Sequence, residues 1–391
     1  MSVIKTSSQH QIATTAGEFI ALAEQQAKLN FTDRHFEEPL QKLLECLARD
    51  ADFHEQGAQI FKSEILRYLN NRLRMQADVE ENPDIFRENV DNPIIITGLG
   101  RSGTTKLQNM LSVPSKVQKM YFWRLWNAAR LSQDPLSGVD PRIALASGSD
   151  LISEDKPELD AAHHIESCNV DEDWMLYFYT FEDWGWCQIS PCFSFYDWVK
   201  QRPDQPVYSY VKQIIQYLQW QDGGKRERPW VMKSIGHIAH LETLVGTYPE
   251  ATIVHTHRHP AETIASWCKF LCSVWAIQCN PVDPKVLGRE MLRQWSEAME
   301  ACMTSRKNPK VNDRIIDVQY HDIRLRPMDI IDEIYVRAGV KLTDAERNEV
   351  ANWHTSKEQG RFGKHEYSLE EFGLNAADID NAFGNYIEAY L

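Results

Sequence analysis

Apolar residues follow a helical period at the start of this chain and a strand-like one further on. Leu40, Leu43, Leu44 and Leu47 recur at i, i+3, i+4 and i+7 and share one helix face. Ile60, Phe61, Ile65, Leu69 and Leu73 mark a second amphipathic helix, so residues 16–75 read as helical. Thr32 and Asp33 are placed to cap the first of these helices. Glu80, Glu81, Asn82, Pro83 and Asp84 then break the pattern. From about residue 93 the period changes. Short runs of apolar and β-branched residues at 94–97, 230–233, 252–257 and 314–319 predict strands. Helical stretches at 105–111, 238–247, 261–275, 286–305, 327–338 and 344–353 alternate with them.

Strands apolar on both faces and alternating with helices predict an α/β fold, a central parallel sheet flanked by helices. The expected division is a helical N-terminal region, 1–90, and an α/β body, 91–391. Residues 121–220 interrupt the alternation with Trp123, Trp126, Trp174, Trp184, Trp186, Trp198 and Trp220. Such an insertion can be packing, a lid or the wall of an apolar pocket.

Composition narrows the function. The chain has 391 residues, 43% hydrophobic and 25% charged, with a net charge of -14. That balance argues against a nucleic-acid or anionic-membrane surface and requires any anion to be held by local basic groups. No apolar run approaches the roughly 20 residues of a membrane span, and Met1 to Thr15 has no apolar core of a signal peptide. The eight cysteines form no C-x-x-C or zinc-like pattern, so free thiols and a cytoplasmic setting are expected.

The candidate chemistry sits where strands end. After the run Ile94-Ile95-Ile96-Thr97 comes Gly98-Leu99-Gly100-Arg101-Ser102-Gly103-Thr104-Thr105, a glycine-rich turn leading into a helix. Converging backbone N–H groups and a helix N-terminus make such a turn a phosphate cradle. It departs from the P-loop pattern G-x-x-x-x-G-K-[ST], because Thr104 stands at the lysine position and the basic residue is Arg101. Arg258 ends a second strand, on the side where open α/β sheets bind ligands, and Ser266 follows in the next helix. Lys233 ends a third, with His237 four residues on as a candidate general base. His163, His164 and the acidic run Asp171-Glu172-Asp173 lie in the aromatic segment. The acidic run reads as a solvated face or a helix start, though a base on the acceptor side could come from this stretch.

Together these elements resemble the sulfotransferases that use 3′-phosphoadenosine 5′-phosphosulfate (PAPS), in the branch with Arg-Ser-Gly-Thr-Thr in the loop. Arg258 and Ser266 have the spacing of that family's 3′-phosphate site. Lys233-Ser234-Ile235-Gly236-His237 resembles its Lys-Ser-Pro-x-His element, with Ile235 replacing proline. Tyr320 to Pro327 and His365 to Leu374 resemble later stretches of the family, so the likeness runs from about residue 93 to 374.

The resemblance implies a metal-free transfer of a sulfuryl group from PAPS to a hydroxyl of a mostly apolar small molecule. The implied cofactor set is Arg101, Ser102, Gly103, Thr104, Thr105, Arg258 and Ser266, with Arg361 and Lys364 closing over the nucleotide. The implied catalytic set is Arg101, Lys233 and His237. One departure is Trp123-Arg124, where many members carry Trp-Glu. Two readings compete: a P-loop kinase or NTPase, and a nucleotide-binding module without turnover. The sequence is compatible with an oligomer.

Overall fold

The computed structural model describes residues 14–131, 138–149, 165–224, 228–356 and 368–391. Five parallel strands form its sheet: β1 Ile94–Gly98, β2 Gln118–Lys119, β3 Trp230–Lys233, β4 Thr252–His257 and β5 Ile315–Gln319, in the order β2-β3-β1-β4-β5. β1 lies at the centre, pairing Ile96 with Lys233 on one side and Gly98 with Thr256 on the other. The C-terminal ends of β1, β3 and β4 therefore meet at one rim. The two-residue β2 carries no apolar run and escapes a hydropathy reading.

Alternation along each strand divides the core. Ile94 and Ile96, Val231 and Val254 pack on one face with Leu107, Leu111, Ile331 and Val350. These come from the helices Thr104–Leu111, Pro327–Arg337 and Asp344–Ser356. Ile95, Met232 and Ile253 face the opposite way into a larger cluster. That cluster includes Leu40, Leu43, Phe61 and Leu69 of the N-terminal helices and the aromatic side chains of the 121–220 segment. The N-terminal helices thus share a core with the sheet.

The helix predicted around Leu40 spans Glu37–Asp50, but Thr32 and Asp33 do not cap it; its N-cap is Phe36, with no side-chain cap bond. Asp33 instead accepts from the backbone N–H and Nδ1 of His35. The next helix, Glu55–Glu81, runs 27 residues, about 40 Å at 1.5 Å per residue. The stretch expected as one helix at 238–247 is a 3₁₀ turn, Ile235–Ala239, followed by the helix Leu241–Thr247. All eight cysteines are free. No helix among the described residues is long and apolar enough to cross a membrane.

Behind the rim, β4 and β5 carry a polar cluster. Asp317 receives both terminal nitrogens of Arg306 at 2.7 and 2.8 Å and faces Nε2 of His257 at 2.7 Å. These donors hold its carboxyl well below the usual range. The ring of His257 stacks on Tyr390 of the helix Ala376–Tyr390 at 4.7 Å. Burial, with His257 and Arg306 adding to it, pushes His255 well below an ordinary histidine. The unfolded chain therefore binds a proton at His255 that the folded one resists. Stability is expected to fall as pH drops below about 6.5, with a slope of up to roughly 1.4 kcal/mol per pH unit for that proton. Urea midpoints between pH 7.5 and 5 test this. A His255→Asn protein should show a flatter profile, and an unchanged slope would remove His255 as its source.

Candidate active site

The loop between β1 and the helix Thr104–Leu111 is shaped by close packing and left-handed backbone. Gly98 has φ +147°, and a Cβ there would come within 2.4 Å of Thr256 Oγ1 and 2.6 Å of its carbonyl oxygen. Gly103, the N-cap of the helix, has φ +91°. Arg101 adopts φ 71° although it has a side chain, a conformation that costs on the order of 1–3 kcal/mol. Two contacts hold it there. Nη1 of Arg258 donates to the Arg101 carbonyl at 2.8 Å, and Arg101 Nε donates to Ser266 Oγ at 3.2 Å.

Arg101, Arg258 and Ser266 thus converge from β1, β4 and the helix Pro260–Trp275. The Arg258 guanidinium lies 4.2 Å from the Tyr320 ring centroid and also bonds Glu262, one turn into the helix. Ser102 points elsewhere. Its buried hydroxyl donates to the Leu99 carbonyl and bonds Thr256 Oγ1 at 2.6 Å, tying the loop to β4. Its hydroxyl therefore braces the loop, and only its backbone remains to face an anion.

Lys233, fully buried at the end of β3, donates to Thr105 Oγ1 at 3.3 Å and pairs with Glu172. A cavity of about 190 Å³ opens beside its partners Thr105 and Glu172, with Lys233 itself behind the lining residues. Gly100, Arg101, Thr104, Thr105, Asp171 and Glu172 line its polar end. Ile60, Phe61 and Tyr68 of the helix Glu55–Glu81 line the apolar part with Phe122, Trp126, Trp174, Phe178, Trp186 and Trp267. The aromatic segment therefore supplies both core packing and a pocket wall. Glu172 sits where the two parts meet, and its Oε2 is buried with no hydrogen-bond partner among the described residues.

The acidic run is not a solvated face. Asp171 and Asp173 are buried. The Asp171 carbonyl accepts from Gln108 Nε2 at 2.7 Å, and the Asp173 N–H donates to the Lys233 carbonyl at 3.2 Å. A helix does begin here, Trp174–Tyr177, with Asp173 as its N-cap residue.

His237 does not line the cavity. It is buried, with Nδ1 on the Tyr208 hydroxyl and Nε2 on Asp173 Oδ2, both at 3.0 Å. Both ring nitrogens are occupied, so no position is left for an acceptor hydroxyl. Arg124 turns away as well, bonding Asp222 at 2.8 Å and the Leu218 carbonyl. Arg361, Lys364, His163 and His164 lie outside the described residues.

Residues 93–344 match the profile of the Sulfotransferase family. This chain belongs to the sulfotransferase family. Two solved structures of similar fold cover almost its full length. One is sulfotransferase STF9 from Mycobacterium avium, with a TM-score of 0.83, 23% identity and 98% of each chain covered. The other is sulfotransferase STF1 from Mycobacterium tuberculosis H37Rv, with a TM-score of 0.78, 22% identity, and 96% of this chain and 100% of that one covered. These likenesses carry the fold, a P-loop-like parallel sheet flanked by helices. No curated protein matches the chain. In the sulfotransferase, the matched stretch holds the loop, Glu172, Lys233, Arg258 and Ser266, whereas Ile60, Phe61 and Tyr68 lie before it.

Proposed function

We propose that this sulfotransferase moves a sulfuryl group from PAPS to a hydroxyl of a mostly apolar small molecule, with Glu172 as general base. The observation that carries this reading is one cavity lined by a phosphate-type loop with Arg101, by aromatic walls and by Glu172, whose buried Oε2 has no hydrogen-bond partner among the described residues. Arg258 and Ser266, both on Arg101, are placed for a second anionic group, as the 3′-phosphate of PAPS requires. PAPS supplies an activated sulfuryl group and departs as PAP.

The chain's own groups do the rest. The aromatic walls take up the acceptor and exclude water, which strengthens every charge interaction at the polar end. Glu172 accepts the proton of the acceptor hydroxyl. Lys233, one hydrogen bond from Thr105, offsets negative charge developing on the bridging oxygen. Arg101 and the loop N–H groups offset charge on the phosphosulfate oxygens. A sulfuryl group carries less negative charge than a phosphoryl group, so the lysine missing from position 104 is not needed. His237 holds Asp173, the residue after Glu172, and acts on the base through the backbone.

Incubation with labelled PAPS and a panel of phenols and long-chain alcohols tests the reading. Label should move to one of these acceptors and PAP should accumulate. Transfer to polysaccharide alone, or to no acceptor while PAP binds, would sink it.

A further inference from the structure

A second cavity, of about 500 Å³, shares no lining residue with the acceptor pocket. Four carboxylates border it. Three have basic partners: Glu182 pairs with Arg202, Asp204 with His240 at 2.8 Å, and Glu297 with Lys200 at 3.2 Å. The fourth, Asp183, is buried and makes no ion pair among the described residues. Its Oδ1 accepts from Trp174 Nε1 at 2.6 Å and from the Gly185 N–H at 2.7 Å. No hydrogen bond to Oδ2 is formed by any described residue. Burial raises its carboxyl above the ordinary range, while the hydrogen bonds from Trp174 and the Gly185 N–H, and then His240 and His237, pull it back only in part.

Trp184 and Tyr208 also line this cavity, and neither ring carries a lysine or arginine among the described residues. A buried carboxylate without a counter-ion is unfavourable, and a cation beside it relieves that cost. Aromatic rings add to the attraction for a desolvated cation through their negative faces. An inorganic cation would need several oxygen ligands, whereas one carboxylate among rings suits a bulky, weakly hydrated ammonium.

We propose that this cavity is a second binding site, for a small organic ammonium compound held by Asp183 between Trp184 and Tyr208. The site stands apart from the sulfuryl-transfer reading, because its walls exclude the loop, Lys233 and Glu172. It also touches the acceptor pocket at one place, since the Asp183 carboxylate that would hold the cation also holds the indole of Trp174.

Calorimetry with choline and its neutral isostere 3,3-dimethylbutan-1-ol tests the proposal, in the presence of saturating PAP. Choline should bind the full-length protein at least about tenfold more tightly than the isostere, given a charge-assisted contact plus ring faces. Asp183→Asn should remove that preference. Ala301→Trp, which fills the cavity wall without touching Asp183, should abolish binding and decides the matter if the Asn variant does not fold. Equal binding of choline and isostere, no binding of either, or choline binding retained in Ala301→Trp would each overturn the proposal.

Discussion

Glu172→Gln is expected to lower turnover by about 10²–10⁴-fold, the usual contribution of a positioned general base, while PAP affinity stays at the wild-type value. The substitution keeps the shape of the side chain and an oxygen for Lys233, but removes the lone-pair basicity that accepts a proton. The loop, Arg258 and Ser266 are untouched, so the nucleotide should not register the change. Initial rates of labelled product together with PAP calorimetry read the two quantities separately. Glu172→Ala is a poorer probe. It strands the fully buried Lys233 ammonium, and breaking a buried pair costs about 3–5 kcal/mol. If Glu172→Gln keeps its turnover and a folded His237→Gln loses it, the proton goes to His237 and the base proposed here is wrong.

Arg258→Ala should weaken PAP binding by about 10- to 100-fold or more, since each charge-assisted bond to a phosphate contributes roughly 1.5–3 kcal/mol. The reach of the guanidinium into solvent limits the structural cost: its side chain is 18% exposed and its ion pair is with the exposed Glu262. Surface pairs of that kind contribute about 0–1 kcal/mol. One structural effect does follow. Arg258 holds the carbonyl of Arg101 in its left-handed conformation, so the loop loses a restraint. A Ser266→Ala protein loses a loop restraint and a proposed 3′-phosphate ligand together but keeps the arginine charge, so a smaller loss of PAP affinity there than in Arg258→Ala assigns the difference to the guanidinium. Equal PAP affinity in Arg258→Ala and wild type would sink the 3′-phosphate assignment.

What could be read from the chain in advance follows physical range. The four longer strands declare themselves, because a run such as Ile94-Ile95-Ile96 must be buried on both faces, as the two core clusters show. β2 exists only through its pairing with β3 and has no local signal. The glycine loop and the strand-end positions of Lys233 and Arg258 were also legible, since a parallel sheet brings those ends to one rim. Glu172 was not. Three acidic residues in a row read as solvent-facing, and the partners that hold Glu172 and Asp173, Lys233 and His237, are distant in sequence. The same holds for His237: its spacing from Lys233 is visible, but not the Tyr208 and Asp173 side chains that bond both nitrogens. The N-terminal helices showed their apolar faces plainly. That one of those faces also lines the cavity beside the glycine loop is a tertiary fact.

That last feature bears on how such an enzyme can change its substrate. The loop, Lys233, Arg258 and Ser266, proposed to grip the donor, fall within 93–344, whereas Ile60, Phe61 and Tyr68 line the aromatic cavity from a helix before it. Mutations within little more than two turns of helix can therefore redraw part of the cavity wall without touching the phosphate loop. The helix before the matched stretch thus carries part of the cavity wall, while Phe122, Trp126, Trp174, Phe178, Trp186 and Trp267 carry the rest from within it. New acceptors can be sampled by drift in the first hundred residues while sulfuryl transfer itself is kept.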